Sequence, residues 1–426
     1  MAVIGVDVGT SACKALLCNT DGQVIATART PLPAPQRQGH AWMQDPALWW
    51  TAVQHTLREL LAYYPHRQQI AALALDGTSA TLLAADATGQ PLGPALLYAD
   101  SQATAEATQL RRMAPPDSPA QGPSNSLAKA LYLLARYPQA AYLLHQTDWL
   151  TGCLLGRYGA TDYNNALKLG YDVQQDVWPT WVRHLLPIHL LPQVHAPGTV
   201  LGTLHPDVAQ TLALSPELRI VAGTTDSTAA FLATGARQVG DAVTSLGSTL
   251  VVKILTSQPV QAAAYGVYSH RLGTHWLVGG ASNSGGAVLQ TYFSPADLAR
   301  LTPQLHPDRP TGLDYYPLLT PGERFPHADP HWPPHLTPRP AEDALFLQGI
   351  LEGLAQIEVD GYQRLVDLGA PQPQRIYTVG GGSANPAWQQ LRTRRLPAAL
   401  HPPQHTEAAY GAALLALQAL GQQIVQ

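Results

Sequence analysis

Apolar positions along this chain fall into short runs broken by small polar turns, with a few longer stretches at helical spacing. Val3-Ile4-Gly5-Val6, Ala15-Leu16-Leu17 and Val24-Ile25 flank Asp7–Ser11 and Asp21-Gly22, which predicts three strands joined by tight turns. Leu48, Trp49, Val53, Leu57 and Leu60-Leu61 then recur at the spacing of a helix after Gln44-Asp45-Pro46. Ile70–Leu75 and Thr81-Leu82-Leu83 are strands on either side of Asp76-Gly77-Thr78-Ser79, which reads as turn chemistry or as a polyol-binding edge. Residues 113–125 read as a loop, helices follow near Ser126–Lys129 and Asp148–Leu150, and Thr161–Lys168 reads as a polar loop.

The second half repeats the opening theme. Leu218–Ala222 is a short buried strand ahead of Gly223-Thr224-Thr225-Asp226-Ser227, and Thr228–Ala233 is a helix of small residues. Val243–Val252 reads strand, small polar turn, strand. Aligned on its glycine, it matches the first hairpin with Ser245 in place of Asp7, so two related hairpins suggest a duplicated fold. Trp276–Val278 is a strand, 302–340 an irregular connection rich in Pro and His, and Ala344–Leu365 a long helix. Ile376–Val379 ends in Gly380-Gly381-Gly382, which leaves bare backbone for a planar ring. Thr406 opens a last helix of small residues as its N-cap.

Composition narrows the class. A length of 426 residues exceeds one core and implies two domains, and 46% hydrophobic residues supply them. A net charge of −4 without a basic run argues against nucleic acid and membrane partners. An opening strand leaves no room for a targeting segment, and three cysteines without metal spacing fit a reducing cytoplasm.

The chemistry gathers at three places. Asp7-Val8-Gly9-Thr10-Ser11 offers N–H and hydroxyl donors to an anion, and its carboxylate implies Mg2+ between itself and phosphate. Asp226 sits between a strand end and a helix start, as a helix cap or as a group at the crevice edge where α/β sheets bind ligands. Gly380–Gly382 lacks the Gly-Lys-Ser/Thr of a P-loop, and the following helix N-terminus favours phosphate.

Taken in order, these windows resemble the FGGY family of carbohydrate kinases. The match spans nearly the whole chain, through Asp7–Ser11, Gln44-Asp45-Pro46, Gly223–Ser227, Gly247-Ser248-Thr249, Glu352-Gly353, Gly380–Gly382 and Glu407–Ala413. The resemblance implies an α/β fold of two actin/hexokinase/Hsp70-like (ribonuclease H-like) domains around a central cleft. The N-terminal domain would cover 1–233 plus about 407–426, for sugar, phosphate and metal; the C-terminal domain would cover 234–406, for nucleotide. It implies Asp226 as catalytic base and Asp7 as the Mg2+ support, with Asp7, Ser79 and Asp226 contacting the sugar. Gly9, Thr10 and Ser11 with Gly247, Ser248 and Thr249 would face ATP's phosphates, and Gly381, Gly382, Asn385 and Trp388 would hold its adenosine.

Within the family the chain is most similar to the short D-ribulokinase branch, through Leu75–Ser79, Asp162–Tyr171, Gly312–Pro317 and Gly322–Pro326. The wider family's Trp-x-Asp-x-Arg segment is Tyr98-Ala99-Asp100-Ser101-Gln102 here, without the arginine. The Gln-Met-His of xylulose kinases is replaced at Asp76–Ser79. The expectation is an ATP- and Mg2+-dependent kinase acting on D-ribulose at O5, cytoplasmic, as a monomer or homodimer. The alternatives are a kinase for D-xylulose, L-ribulose or ribitol, or a non-catalytic nucleotide-binding relative.

Overall fold

The computed structural model describes residues 1–62 and 64–421. Met1–Ala233 with Glu407–Gln426 form one compact unit and Thr234–Thr406 a second. Residues 422–426 of the expected N-terminal domain lie outside the described residues.

The first unit is built on a six-stranded sheet. Its order is Val200–Thr203, Arg219–Thr225, Ile70–Gly77, Ala2–Val8, Ala12–Asn19, Val24–Pro31. The three central strands run parallel, and the opening hairpin and its third strand continue the sheet antiparallel. Ile4, Val6 and Val8 alternate into a core shared with Trp49, Leu57 and Leu150, as the period of two in a strand requires. Helix Pro46–Leu61 covers that core; Asp45 caps it by accepting the Ala47 N–H, and proline occupies its first turn. Gly5 meets the C-terminal helix Ala408–Gln418, which also packs on helix Asp226–Ala233. A Cβ on Gly411 would stand 1.9 Å from the Ala229 carbonyl oxygen, so the small residues of that helix permit backbone-to-backbone packing. Thr406 is not the cap: the helix starts at Ala408, Glu407 holds the cap position without a side-chain capping bond to the helix backbone, and its carboxylate pairs with Lys14 at 2.5 Å. A smaller sheet joins Gln36–Gln38, Ala41–Gln44, Ala95–Leu96, Leu82–Ala85 and Tyr142–His145.

The second unit repeats the plan. Asp241–Leu246 pairs antiparallel with Leu250–Thr256 and parallel with Arg375–Val379, as Ala2–Val8 does with its two neighbours. Its six-stranded sheet runs Tyr268–Leu272, His275–Ala281, Leu250–Thr256, Asp241–Leu246, Arg375–Val379, Ala399–His401. Helix Asp343–Asp367 is tied to helix Pro386–Arg395 by a fully buried bidentate pair, Arg392 to Glu358 at 2.6 and 2.8 Å. No helix among the described residues is long and apolar enough to cross a membrane.

Asp226 falls, as read from the sequence, between a strand end and a helix start: Gly223-Thr224-Thr225 closes strand Arg219–Thr225, and helix Asp226–Ala233 begins at the aspartate itself. One expectation changes. Thr161–Lys168 is not a surface loop: strand Ala160–Asp162 leads into the short helix Tyr163–Ala166, with Asn164 and Asn165 fully buried. The polar side chains that read as solvent-facing are spent on one another.

Candidate active site

Strand register brings the carboxylates together. Asp7 and Asp76 are partners on adjacent parallel strands, and Thr224 is the partner of Asp76 on the next. Cross-strand partners share a face of a sheet. Between Val221 and Thr224 the third strand carries one residue more than its neighbour, a β-bulge centred on Gly223. A Cβ at Gly223 would lie 1.6 Å from the Leu75 carbonyl oxygen, so only glycine allows this approach. Asp226 follows at the helix start, where its carboxylate accepts the Ser227 N–H at 2.6 Å. It is the first helical residue rather than the cap before it, and it lines a cavity, as the crevice-edge reading of the sequence has it.

Asp76 is the residue that sequence reasoning undervalued. It is fully buried, and neither carboxylate oxygen receives a hydrogen bond. Burial, with the charges of Asp7 and Asp226 beside it, pushes its carboxyl well above the usual range. Burial and Asp226 likewise lift Asp7 to about 6. The signal was available: an aspartate at the end of an otherwise apolar strand has no solvent to face. What was missing was its neighbour across the sheet.

Above these groups lies a cavity of about 290 Å³ walled in part by Gly9, Thr10, Ser79, Tyr98, Lys168 and Asp226. The Ser79 hydroxyl is buried and has no hydrogen-bond partner. Its turn is fixed by neighbours: the Thr78 N–H and hydroxyl both donate to Gln146 Oε1 at 2.9 Å, and the Thr78 and Thr81 hydroxyls meet at 2.6 Å. Lys168, the last residue of the expected polar loop, lines the same cavity. Gln102, which stands where the wider family's arginine was expected, turns away and donates to Asp100 at 2.8 Å.

The buried 160s segment braces this wall. Asp162 accepts the Asn164 N–H at 2.8 Å and the Asn165 amide at 2.6 Å; Asn164 in turn donates to the Thr224 hydroxyl at 3.0 Å. Burial drives Asp162 up to about 7, partly offset by these donors. The segment thus holds the strand that leads into Asp226.

In the second unit a cavity of about 690 Å³ is lined by Gly247, Ser248, Gly381, Gly382, Asn385 and Trp388, among others. The turn at Gly247-Ser248 is pinned from behind, its two carbonyls accepting the N–H groups of Gly286 and Ala287 at 2.8 and 3.1 Å. The three glycines serve different ends. Gly380 has φ of 88°, and a Cβ on Gly382 would lie 2.4 Å from the Trp388 ring; only Gly381 has open space where its Cβ would be. Trp388 is 1% exposed, so it forms the packed floor of the cavity rather than a free stacking plate, and its indole N–H has no partner. Asn385 caps the following helix by accepting the Trp388 N–H at 3.0 Å, and its amide donates to Thr302 at 3.2 Å. Ser11 and Thr249 line neither cavity, and Asp7 stands beside the first one without walling it.

The donor set beside the first cavity suits a hard cation. No group of three or more His, Cys, Asp or Glu side chains among the described residues makes a metal cage. Mg2+ does not require one, since it is commonly held by one or two carboxylates with substrate phosphates and water. Asp7 and Asp76, neighbours across the sheet, supply such oxygens.

Comparison with known proteins places the chain among carbohydrate kinases. A xylulose kinase of Escherichia coli (strain K12) is 26% identical over 411 residues, covering 91% of this chain and 83% of that protein. A gluconokinase of Bacillus subtilis (strain 168) is 22% identical over 464 residues, covering 98% and 88%. The fold matches a crystal structure described as a xyloylose kinase from Brucella ovis with a TM-score of 0.90 at 24% identity, covering 100% of this chain and 92% of that one. The N-terminal domain model of the FGGY family of carbohydrate kinases matches residues 2–233 and its C-terminal domain model residues 242–420. With both halves matched, the chain belongs to the FGGY family of carbohydrate kinases.

Proposed function

We propose that the protein transfers the γ-phosphoryl group of ATP to O5 of D-ribulose, giving D-ribulose 5-phosphate and ADP. One observation carries the acceptor side: Asp226 opens onto a cavity whose wall presents the buried, partnerless hydroxyl of Ser79. A polyhydroxy ligand supplies the partner that hydroxyl lacks. The first unit accordingly holds the sugar and the second the nucleotide.

In the reaction, a bond forms between the sugar O5 and the γ-phosphorus, and the bond from that phosphorus to the β–γ bridging oxygen breaks. The electron pair leaves with ADP. Asp226 accepts the O5 proton, while the Ser227 N–H keeps its carboxylate oriented. The Thr10 hydroxyl in the first unit and the Ser248 hydroxyl in the second are donors for phosphate charge, each on a turn already fixed, by the Gly9 N–H to the Ala12 carbonyl at 3.1 Å and by the Gly286 N–H to the Gly247 carbonyl at 2.8 Å. Asp7 and Asp76 would hold Mg2+, which when bound offsets charge on the phosphates. Trp388, Gly381 and Gly382 shape the adenosine site.

D-Ribulose rests on the residues at the acceptor turn, Asp76-Gly77-Thr78-Ser79, and on the absence of an arginine at Gln102. D-Xylulose is the second reading, favoured by the xylulose kinases among the relatives. A coupled assay of ADP release over D-ribulose, D-xylulose, L-ribulose, ribitol and no sugar separates them. The expected result is the highest kcat/KM on D-ribulose, with Asp226→Ala losing about 10²–10⁴ in kcat. Highest efficiency on D-xylulose establishes the second reading. Sugar turnover that survives in Asp226→Ala removes the base from the mechanism.

A further inference from the structure

We infer that Lys129, a residue outside the cavity wall, is the positioning residue of the acceptor site, resting on the sugar-kinase reading above. Helix Ser126–Arg136 carries it into the core, where it is 0% exposed. Its ammonium donates to two main-chain carbonyls, those of Ala80 at 2.8 Å and Leu97 at 2.6 Å. These carbonyls belong to the two segments that bring Ser79-Ala80 and Tyr98 to the cavity. One side chain therefore clamps two parts of the acceptor wall that lie far apart in sequence.

The Ala80 end of the clamp bears the strain. Ala80 has φ of 62°, a left-handed conformation that a residue with a Cβ rarely adopts. It follows Ser79 directly, so the direction of the Ser79 hydroxyl depends on the peptide that Lys129 holds. Without the ammonium, two carbonyl dipoles converge on a point with no donor, and Ala80 can relax to an ordinary conformation and carry Ser79 with it.

A purely architectural role explains the arrangement less well. Burying a lysine opposes its charge, and burial brings its pKa down to about 7 with Asp100 offsetting part of the fall. A buried charge is weak evidence for stability, and a methionine of similar length would fill the space. What methionine lacks is donors for the two carbonyls that set the turn.

The test is steady-state kinetics on the sugar the wild type uses, with Lys129→Met, Ala80→Gly and the double variant. Lys129→Met is expected to raise the sugar KM about tenfold, with the KM for ATP within about twofold of wild type. Glycine adopts a positive φ without strain, so Ala80→Gly lets the turn keep its shape unaided. The double variant is then expected to recover most of the sugar KM. A purely structural lysine predicts instead a lower melting temperature, no selective change in sugar KM, and no rescue by glycine at position 80. An unchanged sugar KM in Lys129→Met, or an unrescued double variant, overturns this inference alone. A wild type silent towards every sugar overturns the kinase reading and this inference with it.

Discussion

Replacing Asp7 with asparagine should make the metal-free protein more stable while stopping its turnover. Asp7 faces Asp76, whose two oxygens receive no hydrogen bond, and Asp226 lies close enough to raise both their pKa values. An acid moved from 3.8 to about 6 by burial and neighbouring charge penalises the ionised form by about 3 kcal/mol at neutral pH. The sign follows from proton counting. Between pH 4 and 6 the unfolded chain releases a proton that folded Asp7 retains, so this group's contribution is greatest below its unfolded pKa and is lost as pH rises through its folded one. Asparagine never ionises and offers an amide N–H to Asp76, removing the penalty. In a domain of this size, 3 kcal/mol corresponds to a rise in melting temperature of about 6–12 °C. The assay is thermal unfolding with chelator from pH 4.5 to 7.5, with and without Mg2+. Wild type should lose stability as pH rises and regain part of it with Mg2+, while Asp7→Asn should show a flatter profile and a weaker response to Mg2+. A variant no more stable than wild type at pH 7.5 would refute the assignment of strain to this carboxylate pair.

Three glycine substitutions test the rest of the geometry. Gly381→Ala meets no atom within 4 Å and should fold normally, whereas Gly382→Ala places a methyl 2.4 Å from the Trp388 ring. At about 1–3 kcal/mol of overpacking, Gly382→Ala should weaken nucleotide binding by roughly five- to 150-fold, read by calorimetric titration with ADP. Gly223→Ala drives a methyl to within 1.6 Å of the Leu75 carbonyl oxygen and must open the bulge that precedes Asp226. It should lower both melting temperature and kcat, and a variant with wild-type kcat would show that the bulge does not aim the carboxylate.

Much of this molecule was legible in the order of its residues because the deciding physics is local. Asp-Gly before Val24 makes a hairpin turn, Asp45-Pro46 starts a helix, and the near-continuous apolar run of Ala2–Val8 selects a buried strand. The duplicated hairpins, the glycine run and the motif ending in Asp226 likewise carry their meaning within a few neighbours, and their order along the chain identified the family. Other features depend on residues far apart in sequence. Nothing near Asp76 reveals that its carboxylate meets Asp7; the pairing of two strands more than sixty residues apart decides it. Asn164 reads as a loop residue until the Thr224 hydroxyl is placed against it. Gly382 reads as an open cradle until Trp388 packs beneath it, and Lys129 as an ordinary helix residue until two carbonyls converge on its ammonium. In each case tertiary packing removes water, and with water gone the partner across the fold, rather than the neighbour in the chain, determines what a polar side chain does.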